Sequence, residues 1–149
     1  TYTGEIVPQN VYQIMVCVWG AGGSGAAYQN GGASGYHARG GDGGGYAQGI
    51  IDVVPGQALP TITVGAGGVA VTSASSDGNA GGTSSFGTLL SATGGAGGKY
   101  AATTAGTPGT GSAASTLRQA RTAIGGYGGY HNAGTGYAMG TGGGGAGSI

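Results

Sequence analysis

Gly20, Gly22 and Gly25 follow an apolar run over residues 11–19 (VYQIMVCVW), with the spacing G-x-G-x-x-G. Between a strand and a helix, that spacing cradles a dinucleotide pyrophosphate on backbone N–H groups. The context required for that chemistry is missing. The residues after Gly25, AAYQNGGASGYHARGGDGGG, have no helical period. The acidic residue near the right distance, Asp42, sits in GGDGGG with no strand before it. No alternation of strands and helices follows, so a parallel sheet would lack its crossovers. In a chain with 41 Gly in 149 residues, such a match arises by chance.

The remaining reactive types are equally isolated. Cys17 is the only cysteine, mid-strand with no His beside it, which reads as core and excludes an internal disulfide. His37 and His131 could share a metal with Asp42 or Asp77, but no ligand spacing supports it. Ser24 and Ser84 lack the G-x-S-x-G setting of a nucleophile. Arg118 and Arg121 read as a solvated face. No nucleophile is paired with a base, so neither an enzyme nor a cofactor is expected.

Aromatic placement is more informative. Seven of the nine tyrosines (28, 36, 46, 100, 127, 130, 137) lie in or beside Gly-rich stretches, and Tyr36 and Tyr130 are each followed by His. Tyr among Gly, Ser and Asn is the composition of antibody binding loops. Its ring gives large contact area at low entropy cost. Tyr28, Tyr36, His37, Tyr127, Tyr130, His131 and Tyr137 are therefore the candidate surface-recognition residues. The bland alternative is that these rings roof the glycine stretches and fill space.

The elements that would position them are short. Strands are expected over 11–19 (buried on both faces), 46–54, 59–64 and 84–93, with a hairpin joining the second and third around PGQAL. Residues 112–124 could form one short helix, capped by Ser112 and stopped by Gly125-Gly126, or a strand over 117–124. Long Gly-rich segments separate these elements. Ordered loops of that length need partners. Some are expected to pack as extended polyglycine, in the polyproline II form, bonding chain to chain.

Composition bounds the rest. Lys+Arg and Asp+Glu are 4 each, so charge repulsion does not hold the chain open. Neutrality argues against nucleic acid, which wants a basic stripe. No apolar run is long enough to cross a membrane as a helix, and no signal peptide is visible. The chain begins at Thr1, as a processed form or excerpt would. A single all-β domain over 1–149 is expected: a small antiparallel sheet or jelly-roll-like sandwich.

Three stretches together carry a resemblance: VYQIMVCVWGAGGSGA, GGGYAQGIIDVVPGQALPTITVGAGG and GGTSSFGTLLSATGGAGG. They resemble the glycine-rich domain of bacteriophage tail-fibre and adhesin proteins, from about residue 7 to 98. The last third matches only in composition. The resemblance implies a non-enzymatic structural or receptor-binding module outside the cell, homo-oligomeric, on a virion fibre or cell-surface filament. Its partner would be a cell-surface glycan or outer-membrane protein. Such domains commonly close with a last apolar strand, whereas this chain stops at GGGGAGSI. An open sheet edge is then expected. The N-terminal arm, residues 1–10, could donate a strand to a neighbour's edge, with Tyr2, Ile6 and Val7 at the subunit interface. The alternative function is thus a self-assembling filament subunit joined by strand exchange; the homo-oligomer is expected to be a trimer or a helical filament.

Overall fold

The computed structural model describes residues 1–27, 38–100 and 105–129. Among these residues seven strands form two antiparallel sheets. These are β1 (Gln13–Trp19), β2 (Tyr46–Asp52), β3 (Ile62–Thr63), β4 (Ser84–Phe86), β5 (Leu90–Ala92), β6 (Gly111–Ala113) and β7 (Arg118–Ala123). One sheet has the order β1-β2-β7, the other β3-β4-β5-β6. The described residues contain no helix, and the architecture is a small β-sandwich.

Alternation builds the core. On β1, Ile14, Val16 and Val18 turn inward and pair across the ladder with Ile51, Gly49 and Ala47 of β2. The facing sheet supplies Phe86, Leu90 and Ala92, and this small cluster is nearly dry. A methyl at Gly49 would meet the Leu117 side chain, so glycine there makes room for a core leucine.

Several elements differ from the sequence reading. β1 is buried on one face only: Met15 is 69% and Trp19 47% exposed. β2 and β3 belong to different sheets, so PGQAL is a crossing between sheets and not a hairpin. The expected strand over 84–93 is itself a hairpin, turning at Gly87 with φ of 51°. Residues 112–124 are not helical. They form β6, a turn in which the Leu117 amide donates to the Ala114 carbonyl (3.1 Å), and β7. The strand alternative won because β2 offers a partner, with Tyr46, Ala47 and Gln48 facing Ala123, Thr122 and Arg121. A ladder with tertiary packing behind it outweighs weak local helix preference.

At one end of the sandwich every strand runs on into a glycine-rich segment, and there the period changes from two to three. The amides of Gly20, Gly23 and Ala26 donate to the carbonyls of Gly45, Asp42 and Arg39. Those of Ala21, Ser24 and Ala27 donate to Gly82, Asn79 and Ser76. Arg39, Asp42 and Gly45 in turn donate to Lys99, Ala96 and Thr93. Gly40 and Gly43 reach Gly129 and Gly126. Each neighbour is addressed by every third residue, as in polyproline II with its three residues per turn. The expected packed polyglycine segments are therefore present, as a bundle of extended chains joined by backbone hydrogen bonds.

Glycine is needed here for proximity and not for unusual φ. Among the described glycines only Gly4, Gly56 and Gly87 have positive φ, and none of these lies in the bundle. A methyl at Gly41 would strike the backbone of Gly23 and Ser24. One at Gly95 would strike Asp42 and Gly43. Within G-x-G-x-x-G only Gly20 is pressed in this way. Gly22 and Gly25 have ordinary room, and the second tight position is Gly23.

Gly41→Ala should therefore destabilise by about 3 kcal/mol or more, because backbone cannot rotate away as a side chain would. Gly67 has nothing within 4 Å of its would-be methyl. Gly67→Ala should be neutral or stabilising by up to about 1 kcal/mol. Thermal melts of the two variants check both outcomes.

Candidate recognition surface

The bundle segments have three distinct sides, and the sequence follows them. In IGGYGGY, residues 124–130, Gly125 and Gly128 donate inward, to the Gly109 carbonyl and to Asp42 Oδ1. Gly126 and Gly129 accept from Gly43 and Gly40. The third side carries Ile124 and Tyr127, which are 62% and 59% exposed. On this segment Ile124 and Tyr127 stand on the side that makes no backbone hydrogen bond to a neighbour.

On another segment the side that carries side chains faces inward. Arg39 and Asp42 are three residues apart, hence on one side of a three-fold chain, about 9 Å along it. An extended arginine spans that distance. Arg39 Nη2 donates to Asp42 Oδ1 at 2.6 Å, and both side chains are buried. Asp42 also accepts from the Gly128 amide at Oδ1 and the Thr107 amide at Oδ2, both at 2.8 Å. A methyl at Gly106 would collide with this pair. One carboxylate thus ties three glycine segments together. Asp42 is a structural anchor. Among the described residues no three of His, Cys, Asp and Glu converge.

A second, exposed clamp joins the segments ending at Lys99 and Asp77. Lys99 Nζ lies 2.8 Å from Asp77 Oδ2, and the Tyr100 amide donates to Oδ1 at 2.8 Å. The Lys99 hydrogen bond, helped by that amide, holds the Asp77 carboxyl below its ordinary pKa.

On the outer face of the first sheet Trp19 and Tyr46 stack obliquely, with ring centroids 5.0 Å apart. The Tyr46 hydroxyl meets Gln48 Oε1 and Cys17 Sγ. The contact with Cys17, then burial, pushes the Tyr46 hydroxyl above its ordinary pKa. Near the other end of that sheet, a shallow depression of about 310 Å³ is lined by Ile50, Ile51, Asp52, Gln57, Leu89, Thr116 and Leu117. Its one charged group, Asp52, is already engaged by Gln13 (2.7 Å) and Arg118 (3.5 Å).

Of the sequence-derived recognition residues, Tyr127 is placed on the surface. Tyr28, Tyr36, His37, Tyr130, His131 and Tyr137 lie outside the described residues. Their described flanks stand together. Ala26 donates to Arg39 at 2.9 Å, and Gly40 to Gly129 at 3.2 Å. The points where the chain leads to Tyr28, from His37 and to Tyr130 are thus within a few bonds of one another. The N-terminal arm lies on its own chain. Tyr2 and Ile62 exchange two backbone hydrogen bonds, Leu59 donates to Glu5, and Val7 bonds Gln57 and Gly56. Tyr2 and Ile6 are exposed, whereas Val7 is buried against its own subunit. The sequence reading missed the Arg39–Asp42 anchor. The signal was the triplet R-G-G-D-G-G.

A bundle of three-fold glycine segments grown from a β-sandwich defines a glycine-rich β domain. The glycine-rich domain family matches residues 1–149, and the chain belongs to that family. Comparison with curated protein sequences found no match, and neither did comparison with solved structures.

Asp42→Ala strands the buried Arg39 charge and should cost about 3–5 kcal/mol, read as a lowered denaturation midpoint. The Asp77 clamp contributes above the unfolded aspartate pKa and is lost as pH falls through its lowered folded value. The pair is about half exposed, so screening keeps it below about 1 kcal/mol. Melts of Asp77→Asn should show a shallower loss of stability below about pH 4 than wild type.

Proposed function

We propose that this domain is a non-enzymatic adhesive module of an extracellular appendage, of the kind found at the receptor-binding end of phage tail fibres. The observation that carries the reading is the convergence of segment ends on a rigid scaffold. Backbone hydrogen bonds hold Ala26, Arg39, Gly40 and Gly129 together at the positions from which the Tyr- and His-bearing stretches depart. Tyr127 stands exposed on the same segment as Gly129. A stiff base lets planar rings make contact without a large ordering cost on binding. The ligand chemistry that suits exposed Tyr and His among glycines is a bacterial surface glycan or the exposed loops of an outer-membrane protein.

A second reading is supported by the arm. Residues 1–8 lie along residues 56–62 and reach β3 at Ile62, through backbone hydrogen bonds and a single buried side chain, Val7. The same bonds could be made to a neighbour by exchange, building a filament.

Replacing Tyr36, Tyr127, Tyr130 and His131 with Ala should reduce binding to a panel of intact bacteria or surface glycans at least about tenfold, roughly the loss of one 1.4 kcal/mol contact, with little change in melting temperature. Unchanged binding rejects the recognition assignment. For the second reading, deletion of residues 1–8 should abolish filaments in negative-stain images. Filaments that persist without the arm rule out exchange.

A further inference from the structure

Among the described residues, three of the four sheet edges are guarded. The β3 edge is covered by the chain's own arm through Tyr2 and Ile62. β6 is three residues long, and its Gly111 abuts the Tyr46 carbonyl. β7 carries Arg118 and Arg121, a register shift opposite Gln48 and Ile50, and a left-handed Gln119 with φ of 48°. Charge, irregularity and cover are the ordinary means by which edges are kept from pairing.

Among the described residues, β1 has none of these. Its seven residues, QIMVCVW, contain no charge, proline or glycine, and its ladder to β2 is continuous. The Val53 amide donates to the Tyr12 carbonyl, and the Gly20 amide to Gly45. Even-numbered residues therefore bond β2, and Gln13, Met15, Cys17 and Trp19 turn their N–H and C=O outward. Among the described residues none of these groups has a partner. Exposed apolar side chains flank them, with Tyr12 65%, Met15 69% and Trp19 47% accessible.

We propose that β1 is a homotypic interface, pairing antiparallel with β1 of a second copy across a two-fold axis at Val16, so that two three-stranded sheets become one six-stranded sheet. The occupant is a second copy because the edge is self-complementary. This register faces Gln13 with the partner's Trp19 and Met15 with the partner's Cys17. Each outward residue then exchanges both its bonds, roughly eight in all. No like charges meet, whereas an antiparallel pair of β7 edges would bring arginines together. Trp19 and Met15 cover the joint from the outer face. The arm at β3 is on the other sheet, so this contact and strand exchange at the arm can coexist.

Two strand edges bury less than the ~1,200 Å² of a standard interface. The expected dimer is therefore concentration-dependent, at ~10–100 µM. Sedimentation of the full chain across that range should show monomer and dimer in equilibrium. Met15→Pro removes one outward N–H and no bond to β2. Met15→Lys sets two like charges diagonally across the joint, within reach of long side chains. Each should weaken the dimer at least about tenfold while leaving the melting temperature within a few degrees. If Met15→Pro does not fold, Met15→Lys decides. Met15→Cys faces the partner's Cys17 at the ~5.5 Å Cα spacing a disulfide accepts, so oxidation should yield linked dimers. Wild-type Cys17 lies diagonal to its counterpart and should not link. A monomer throughout the series, or an oligomer unaffected by Met15→Lys, overturns the interface. Linking in wild type but not in Met15→Cys overturns the register.

Discussion

The distance between neighbouring backbones governs this molecule. Where side chains fill the gap, two sheets stand apart over Val18, Phe86 and Leu90. Where they end, glycine lets the same chains close until amides reach carbonyls directly. Gly20, Gly23, Gly41, Gly44 and Gly95 each sit where a single methyl would collide with another segment's backbone. Sandwich and bundle are thus two states of one set of chains, dry hydrocarbon at one end and hydrogen-bonded main chain at the other. The ordering entropy of glycine, the largest of any residue, is offset in part by the backbone hydrogen bonds that join each segment to its neighbours.

Backbone packing alone does not say which segment lies beside which, because one extended glycine chain resembles another. Side chains at every third position resolve that ambiguity. Asp42 accepts from segments on two sides and pairs with Arg39 along its own. A buried ion pair is weak evidence of stability but a good device for register. Ser24 Oγ accepts from Asn79, and Asp77 clamps Lys99 and Tyr100, each at a different junction. Few charges are present, and those with partners lie mostly where glycine segments meet.

The sheet class and the polyglycine packing were legible in the sequence, because apolar runs and Gly runs alternate without helical period. The pairing of those runs was not. β2 and β3 flank a turn dipeptide and look like a hairpin, yet Val53 and Val54 carry the chain across to the other sheet. Residues 112–124 place Ala and Leu at helical intervals, and only the presence of β2 reveals them as strand. The most readable feature went unread. A-G-G-S, R-G-G-D, T-G-G-A-G-G-K and I-G-G-Y-G-G-Y each repeat every three residues. These repeats announce a three-fold chain with one permitted side. That period locates the buried anchor at Asp42 and the exposed ring at Tyr127 by the same rule. It cannot say which side faces in, since that depends on neighbours far along the chain.

The shift of stabilisation from hydrocarbon to main chain has a thermal consequence. Unfolding of an ordinary domain exposes much apolar surface and raises the heat capacity, whereas exposure of peptide groups lowers it. Here the dry cluster is five residues, and glycine makes up 41 of the 149 residues. The heat-capacity change should fall below the ~12–15 cal/mol/K per residue of typical domains. A smaller curvature flattens the dependence of stability on temperature. The fold then loses little on cooling, where the hydrophobic contribution fades, and its resistance to cold and to moderate heat comes from the same source.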